Sequence, residues 1–370
     1  MSLATGLAGL KQTDGTASAK VTVVTRTSRG AFNDESLPFH VVRQPSLREL
    51  VRLIQATDIV HLAGPAILPL LAALLLRKRV VVEHHGFQAV CPNGQLFHEP
   101  SQMPCPGHFM AGRHSECWRC NAKEGSFRSL KMVLQTFPRR WLCNSVTTNV
   151  TPTDWLARVL QLPRMTLIYH GILANGKPAG LPAPTSPPTF GFVGRLVTTK
   201  GVQILLQASQ QVASRGFEFQ LKIIGDGPER AALVAQTQAL GLVDRVQLLG
   251  YLSKEEVDDV LAGTVAVVMP SLGGEVFGMV AIESMFRGKI VVVSDLGALV
   301  EVTGEGGRAF PSGNSNALGE CLERILQSPE GAVLQGQDAQ KRASLHFTED
   351  RMISEHLAVY QRVVAGGENG

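Results

Sequence analysis

The chain has 370 residues, 44% hydrophobic and 6% aromatic, with a net charge of +4 when histidine is neutral. That length exceeds what one core usually fills, so two domains are expected. The charge suits anionic ligands or an acidic membrane surface and is too weak to indicate nucleic acid, which is not expected as a partner. Met1–Leu10 carries no basic segment before an apolar core and does not read as a secretory signal. The longest apolar run, Ala66–Leu76, contains Pro69 and stops at Arg77-Lys78-Arg79, too short to cross a bilayer. A cytoplasmic protein is expected, either free or peripheral at the inner membrane face.

In chain order, the β-branched run Ala19–Thr25 predicts a strand and Phe39–Val42 a second. Leu47, Leu50, Val51 and Ile54 recur at helical spacing within Ser46–Gln55. Asp58–Leu62 and Arg79–Glu83 predict strands on either side of a helix at Pro65–Leu76. Strands alternating with helices indicate βαβ units and a parallel sheet. Cys91–Cys120 breaks this rhythm. Strands at Leu142–Val146 and Thr166–Tyr169 resume it, flanking a helix at Thr153–Leu160 capped by Thr151 or Thr153. Asn175–Pro188 holds Pro178, Pro182, Pro184, Pro187 and Pro188 and reads as a linker. A second α/β half follows, with strands at Phe190–Val193, Phe219–Ile224, Val246–Leu249, Val265–Met269, Ile290–Ser294 and Ala309–Pro311. The helix near Glu349–Val364 is expected to cross back to the first half. The domains are thus 1–174, a linker at 175–188, 189–345, and a returning helix in 346–370. Two doubly wound halves place a ligand between the carboxyl ends of their strands.

The richest stretch is Met269–Phe286, MPSLGGEVFGMVAIESMF. A buried strand breaks at Pro270, Ser271, Gly273 and Gly274, and a helix opens near Phe277–Gly278. A helix N-terminus presents free N–H groups and partial positive charge, favouring a phosphate or a hydroxyl-rich ligand. Glu275 in the loop can accept hydrogen bonds from sugar hydroxyls, and Glu283 a pair from a ribose diol. Alternatively, both are acidic residues that the helix dipole favours. Gly194-Arg195 ends the first strand after the linker, and Lys200-Gly201 opens the next helix. These cations can neutralise a diphosphate or form a solvated basic turn. No GxxxxGK(S/T) loop is present. Gly225-Asp226-Gly227-Pro228-Glu229 permits close backbone approach to a ligand, with Pro228 suited to the first helical position. Gly250-Tyr251-Leu252 can border a base or pack.

Taken together, Phe192-Val193-Gly194-Arg195, Lys200-Gly201, Gly225 to Glu229, and Pro270-Ser271 through Glu275-Val276-Phe277-Gly278 to Glu283 resemble glycosyltransferase family 4. The resemblance extends to Asp295-Leu296-Gly297, Glu301, Asp58-Ile59-Val60-His61 and His85. It implies a GT-B fold, two Rossmann-like domains facing a cleft, and a retaining enzyme of surface-polysaccharide or glycoconjugate synthesis. The donor is a nucleotide sugar, UDP- or GDP-linked, and the acceptor a glycan or lipid-linked. The implied catalytic residues are His85, Glu275, Arg195 and Lys200. Arg195 and Lys200 take the diphosphate and Glu283 the ribose. Glu275 and the N–H groups of Phe277, Gly278 and Met279 take the sugar, with Gly194, Gly225 and Leu252 completing the donor site. Catalysis needs no metal. Sugar-nucleotide epimerases share the fold and rearrange or hydrolyse the donor without an acceptor. A non-catalytic nucleotide-binding protein is a further alternative, which Arg195, Lys200, Glu275 and Glu283 together disfavour. His170-Gly171 stands where the family often has Asn-Gly.

Cys91, Cys105, Cys117 and Cys120 lie near His98, His108 and His114. Cys117-x-x-Cys120 is half of a zinc pattern, so the loop allows a structural zinc, reduced packing cysteines or a redox-sensitive pair. Cys143 and Cys321 read as core residues, and His84 as a residue supporting the site from behind or packing, rather than a catalytic one. Family members begin with a strand and a glycine-rich loop, whereas Met1–Leu10 already resembles the end of the following helix. The expectation is a truncated start. It leaves a mid-sheet gap between Val21–Thr25 and Asp58–Leu62 unless those strands pair directly. Such a chain should bind donor but transfer sugar poorly.

Overall fold

The computed structural model describes residues 2–10, 19–28, 33–173 and 186–366. Most of the expected linker, residues 175–185, lies outside the described residues. The strands are, in order, β1 (Thr22–Thr25), β2 (His40–Arg43), β3 (Ile59–Ala63), β4 (Arg79–Glu83), β5 (Phe97–His98), β6 (Met103–Pro104), β7 (Thr148–Thr151) and β8 (Met165–Leu167). The second half adds β9 (Thr189–Val193), β10 (Gln220–Ile224), β11 (Val246–Gly250), β12 (Ala266–Met269), β13 (Ile290–Ser294) and β14 (Gly307–Phe310).

The second half forms a six-stranded sheet ordered β11-β10-β9-β12-β13-β14, all pairs parallel. This is the doubly wound order, and the chain reverses direction across the sheet between β9 and β12. Ligands bind in the crevice such a reversal leaves at the strands' carboxyl ends. β12 and β13 are buried along their whole length, because helices cover both faces. Their sequences are accordingly continuous apolar runs rather than alternating ones.

In the first half, β3-β4-β7-β8 make a parallel sheet and β1-β2 a separate parallel pair. Among the described residues β1 and β3 form no ladder with each other. The helix Glu349–Ala365 lies against this half, burying Met352 and Val359 with Val81, Val150 and Ile168. The chain arrives there through a bridge between Ile172 and Thr348. Gly171 makes the approach feasible, since a Cβ on it would strike the Thr348 carbonyl oxygen. Among the described residues, no helix is long and apolar enough to cross a membrane.

Two local expectations are corrected. Leu142–Val146 is not a strand: Leu142 and Cys143 end the helix Ser126–Cys143, and the strand is β7. A short apolar run does not by itself distinguish the two. That helix buries Ser129, Val133, Thr136, Leu142 and Cys143, while Phe127, Leu130, Leu134, Phe137 and Trp141 are exposed. The second correction concerns Pro228, which sits in a turn ahead of the helix Arg230–Ala239 and not at its first position. Thr153 is the cap of the helix Asp154–Leu160, accepting from the Leu156 N–H at 3.2 Å.

Candidate functional site

Three loops leave the sheet at its reversal, and glycines let their backbones touch. Gly225, at φ +132°, follows β10 where a Cβ would strike the Gly194 carbonyl oxygen. Leu196 N–H donates to the Asp226 carbonyl at 2.9 Å. Gly201, at φ +71°, lies under Pro270, whose carbonyl oxygen a Cβ would meet. Leu272 N–H donates to the Thr199 carbonyl at 2.7 Å. An L side chain at either glycine would strain the backbone as well as clash.

This stitching brings Lys200 to Glu275. The Lys200 ammonium donates to Glu275 Oε1, and Ser271 Oγ donates to the same oxygen at 3.1 Å. Glu275 is only 8% exposed, so these partners compensate a carboxylate that would be costly to bury alone. Gly278, at φ +96°, precedes the helix Met279–Phe286, which has no side-chain cap. Its first N–H groups are therefore free of side-chain competition for a ligand. Glu283 is half-buried in that helix, and burial raises its carboxyl above the usual range. Phe277 turns its ring inward against Tyr169, His170 and Phe347, leaving only its backbone to offer. Arg195 and Met279 are exposed, and Leu252 is half-buried, packing with the cluster around Ile224, Leu261 and Val267.

Across the cleft, β4 ends on Glu83, a 5% exposed carboxylate ringed by imidazoles. Its oxygens lie 3.1 Å from His61 Nε2, 3.4 Å from His356 Nε2, 3.6 Å from His170 Nδ1 and 3.8 Å from His85 Nε2. His356 Nδ1 lies 2.8 Å from the Met352 carbonyl. That oxygen can only accept, so Nδ1 carries a proton and Nε2 faces the carboxylate. Tyr360 Oη lies 2.5 Å from His61 Nδ1. Burial alone would raise the Glu83 carboxyl. The imidazoles of His356 and His61 close to its oxygens, together with His85, outweigh it and hold Glu83 well below its usual range. Burial pushes His170 down to about 4 and also lowers His85, against the pull of Glu83.

His85 stacks on His170 at 5.2 Å, and His170 meets Phe277 edge-on at 5.0 Å. A continuous run of rings therefore leads from His85 to the residue before Gly278. Glu301 joins the halves again, its two carboxylate oxygens accepting from the Asp154 and Trp155 N–H groups at 2.8 Å each. It caps a helix of the opposite half, a use that its place among the resembling residues did not reveal. His84 is fully buried with Nε2 2.9 Å from Asn149 Oδ1, a packing role. Away from the cleft, the four loop cysteines are free thiols. Burial pushes Cys91 up to about 11 and Cys117 up to about 12.

Sequence reasoning missed Glu83, His356 and Tyr360 and saw His170 only as a departure from Asn. Their partners are far apart in the chain, and no spacing rule connects residue 356 to residue 83.

Residues 177–342 match the family of glycosyl transferases, group 1. The chain is 31% identical over 195 residues to 2-deoxystreptamine glucosyltransferase of Streptomyces kanamyceticus, covering 50% of this chain and 48% of that protein. It is 34% identical over 192 residues to phosphatidyl-myo-inositol mannosyltransferase of Mycobacterium leprae, covering 48% of each. It thus spans about half the length of these curated relatives. HepE of Anabaena, solved with UDP and glucose, superposes with a TM-score of 0.70 at 18% identity, covering 97% of this chain and 95% of that one. The fold is GT-B, and residues 177–342 match the group 1 glycosyl transferase family.

Proposed function

We propose that the chain is a retaining glycosyltransferase that takes a UDP- or GDP-sugar in its cleft and passes the sugar to a glycan or lipid-linked acceptor. The observation that carries this reading is the Lys200–Glu275 pair at the sheet's reversal, beside a helix N-terminus without a side-chain cap. Lys200 and Arg195 neutralise the departing diphosphate. Once the diphosphate takes Lys200, Glu275 accepts hydrogen bonds from the sugar hydroxyls, and the N–H groups of Phe277, Gly278 and Met279 donate to them. Glu283 holds the ribose, Gly194 and Gly225 admit the diphosphate closely, and Leu252 borders the base. His85 faces the reacting centre from the other half, held by His170 and Glu83. The acceptor oxygen attacks the anomeric carbon on the face the phosphate leaves. Its proton passes to the departing phosphate oxygen, so no protein nucleophile is needed. No metal is assigned to this step. The relative named for phosphatidyl-myo-inositol and the neighbour solved with UDP support the acceptor and donor classes. Melting with a panel of nucleotide sugars tests the reading: a donor raises the midpoint, and none doing so would overturn it.

Peripheral membrane contact belongs to the same reading. Phe127, Leu130, Leu134, Phe137 and Trp141 form an exposed stripe along one helix, and Leu68, Leu71 and Leu75 are exposed on the neighbouring helix Ile67–Leu75. Arg77, Arg128 and Lys131 are exposed beside them. An apolar stripe flanked by cations suits a bilayer rich in acidic lipid. The protein should co-sediment with phosphatidylglycerol vesicles, and Phe127→Asp with Trp141→Asp should weaken this by about tenfold or more. Equal sedimentation of variant and wild type would remove the helix from the contact.

A further inference from the structure

The loop between β4 and the helix Ser126–Cys143 seats Phe87, Ala89, Val90 and Cys91 in the core of the first half, but its farther part, after Phe97, buries few apolar side chains, Phe109, Cys117 and Cys120 among them. Yet it is threaded with turns and a short hairpin, β5 against β6. That farther part has little apolar burial to hold it. Cys91 lies ahead of the hairpin, Cys105 directly after it, and Cys117 and Cys120 on the helix His114–Cys120. All four line one cavity of about 10 Å³, with His98 and His108 at its side. That is room for a single atom-sized guest.

We propose that Cys91, Cys105, Cys117 and Cys120 bind one structural zinc ion. Without a cation, burial keeps the thiols protonated, Cys91 Sγ donating to Asn93 Oδ1 at 3.0 Å and Cys120 Sγ to the Phe97 carbonyl at 3.3 Å, so a bound metal displaces those protons. Cys120 Sγ receives the Glu99 N–H at 3.4 Å and the Asn93 amide at 3.5 Å. Cys105 N–H donates to the Leu96 carbonyl at 2.8 Å, which fixes the hairpin's return towards Cys91. Cys117 and Cys120, three residues apart on a helix, project to the same side. Of the flanking histidines, His98 turns Nδ1 to Ser101 Oγ at 2.8 Å and meets the His108 ring edge-on, while His98 Nε2 and His108 Nδ1 are buried without a hydrogen-bond partner. Four thiolates drawn from the lining of one small cavity are a soft set that selects zinc and, as a complete four-sulfur shell, leaves no open position for substrate. Each thiol gives its proton to solvent as its sulfur takes the metal.

The ion also braces the cleft. The Gln95 carbonyl accepts the Gly274 N–H at 2.7 Å, and a Cβ on Gly273 would come within 2.9 Å of Phe97 Cβ. The loop that the metal fixes is therefore the one that backs the Glu275 loop. Metal binding itself does not depend on the sugar-transfer reading, so its readouts stand apart from activity.

Protein purified without a histidine tag should contain about one zinc per chain. Cobalt(II) exchanged into it should give a thiolate-to-metal charge-transfer band. Chelation should expose the four thiols to a disulfide reagent and speed proteolysis within residues 91–120 by about tenfold or more. Cys117→Ser with Cys120→Ser should lose the metal. If that variant does not fold, the cobalt band and thiol protection of the wild type decide the matter alone. Cobalt-loaded protein without the band, zinc near zero, or a disulfide among the four cysteines by mass spectrometry would overturn the site.

Discussion

Glu275→Gln is expected to lower turnover by at least about a hundredfold, the scale of losing one well-placed polar contact to a transition state. The exchange is nearly isosteric and keeps an acceptor oxygen towards Ser271, so the fold should persist. Lys200 is partly exposed and can be hydrated when its carboxylate partner is gone, so the melting midpoint should move little. What changes is charge at the donor sugar. A carboxylate gathers several hydroxyl donors, whereas an amide presents one acceptor and a competing donor. Steady-state rates on purified protein measure it, with melting as the control for folding. A variant turning over near the wild-type rate would remove Glu275 from the donor sugar.

Glu83→Gln should act on stability instead. Removing one member of a buried charge network typically costs about 3–5 kcal/mol, because the remaining charge is left without a partner. Here His356 is fully buried, with its Nδ1 proton committed to the Met352 carbonyl. Denaturant unfolding at pH 7 reads this loss, and a difference under about 1 kcal/mol would show that no ion pair is present. The wild type should also weaken on acidification. His170 is pushed down from 6.5 to about 4. The unfolded chain therefore binds more protons between those values, and stability present above about 6.5 is lost as pH falls towards 4. Glu83, held below its usual range, adds a loss in the same direction once pH falls below the unfolded carboxylate value. For His170 alone the window corresponds to about 3 kcal/mol. A midpoint unchanged from pH 7 to pH 4 would contradict a buried neutral imidazole.

The second half was the more legible in sequence because its buried strands are continuous apolar runs and its loops carry glycines that only a close approach requires. Gly201 and Gly225 could be read as permissive, but what they permit could not. The contact between Gly201 and Pro270 joins Lys200 to Glu275, two residues the sequence assigns to different parts of a donor. The first half was harder. Ser126–Cys143 shows Phe127, Leu130, Leu134, Phe137 and Trp141 to solvent and buries Ser129 and Thr136 beside Val133, Leu142 and Cys143, which blurs the pattern by which a helix's buried face is recognised. The Glu83 cluster gathers residues 61, 83, 85 and 170 from the ends of the first half's strands, and the return of the last helix adds residue 356.

In the proposed reading the carboxyl ends of β9, β10 and β12 hold the diphosphate of a nucleotide sugar. Melting in the presence of UDP- and GDP-sugars, their diphosphates and their nucleosides tests it directly. At one hundred times its Kd a ligand bound only by the folded state adds about 2.7 kcal/mol, enough to move the midpoint by several degrees. At least one nucleotide sugar and its diphosphate should do so, the nucleoside far less, and Arg195→Ala with Lys200→Ala should abolish the difference. A chain that no nucleotide sugar stabilises, or whose variants lose nucleoside and diphosphate binding equally, would contradict it.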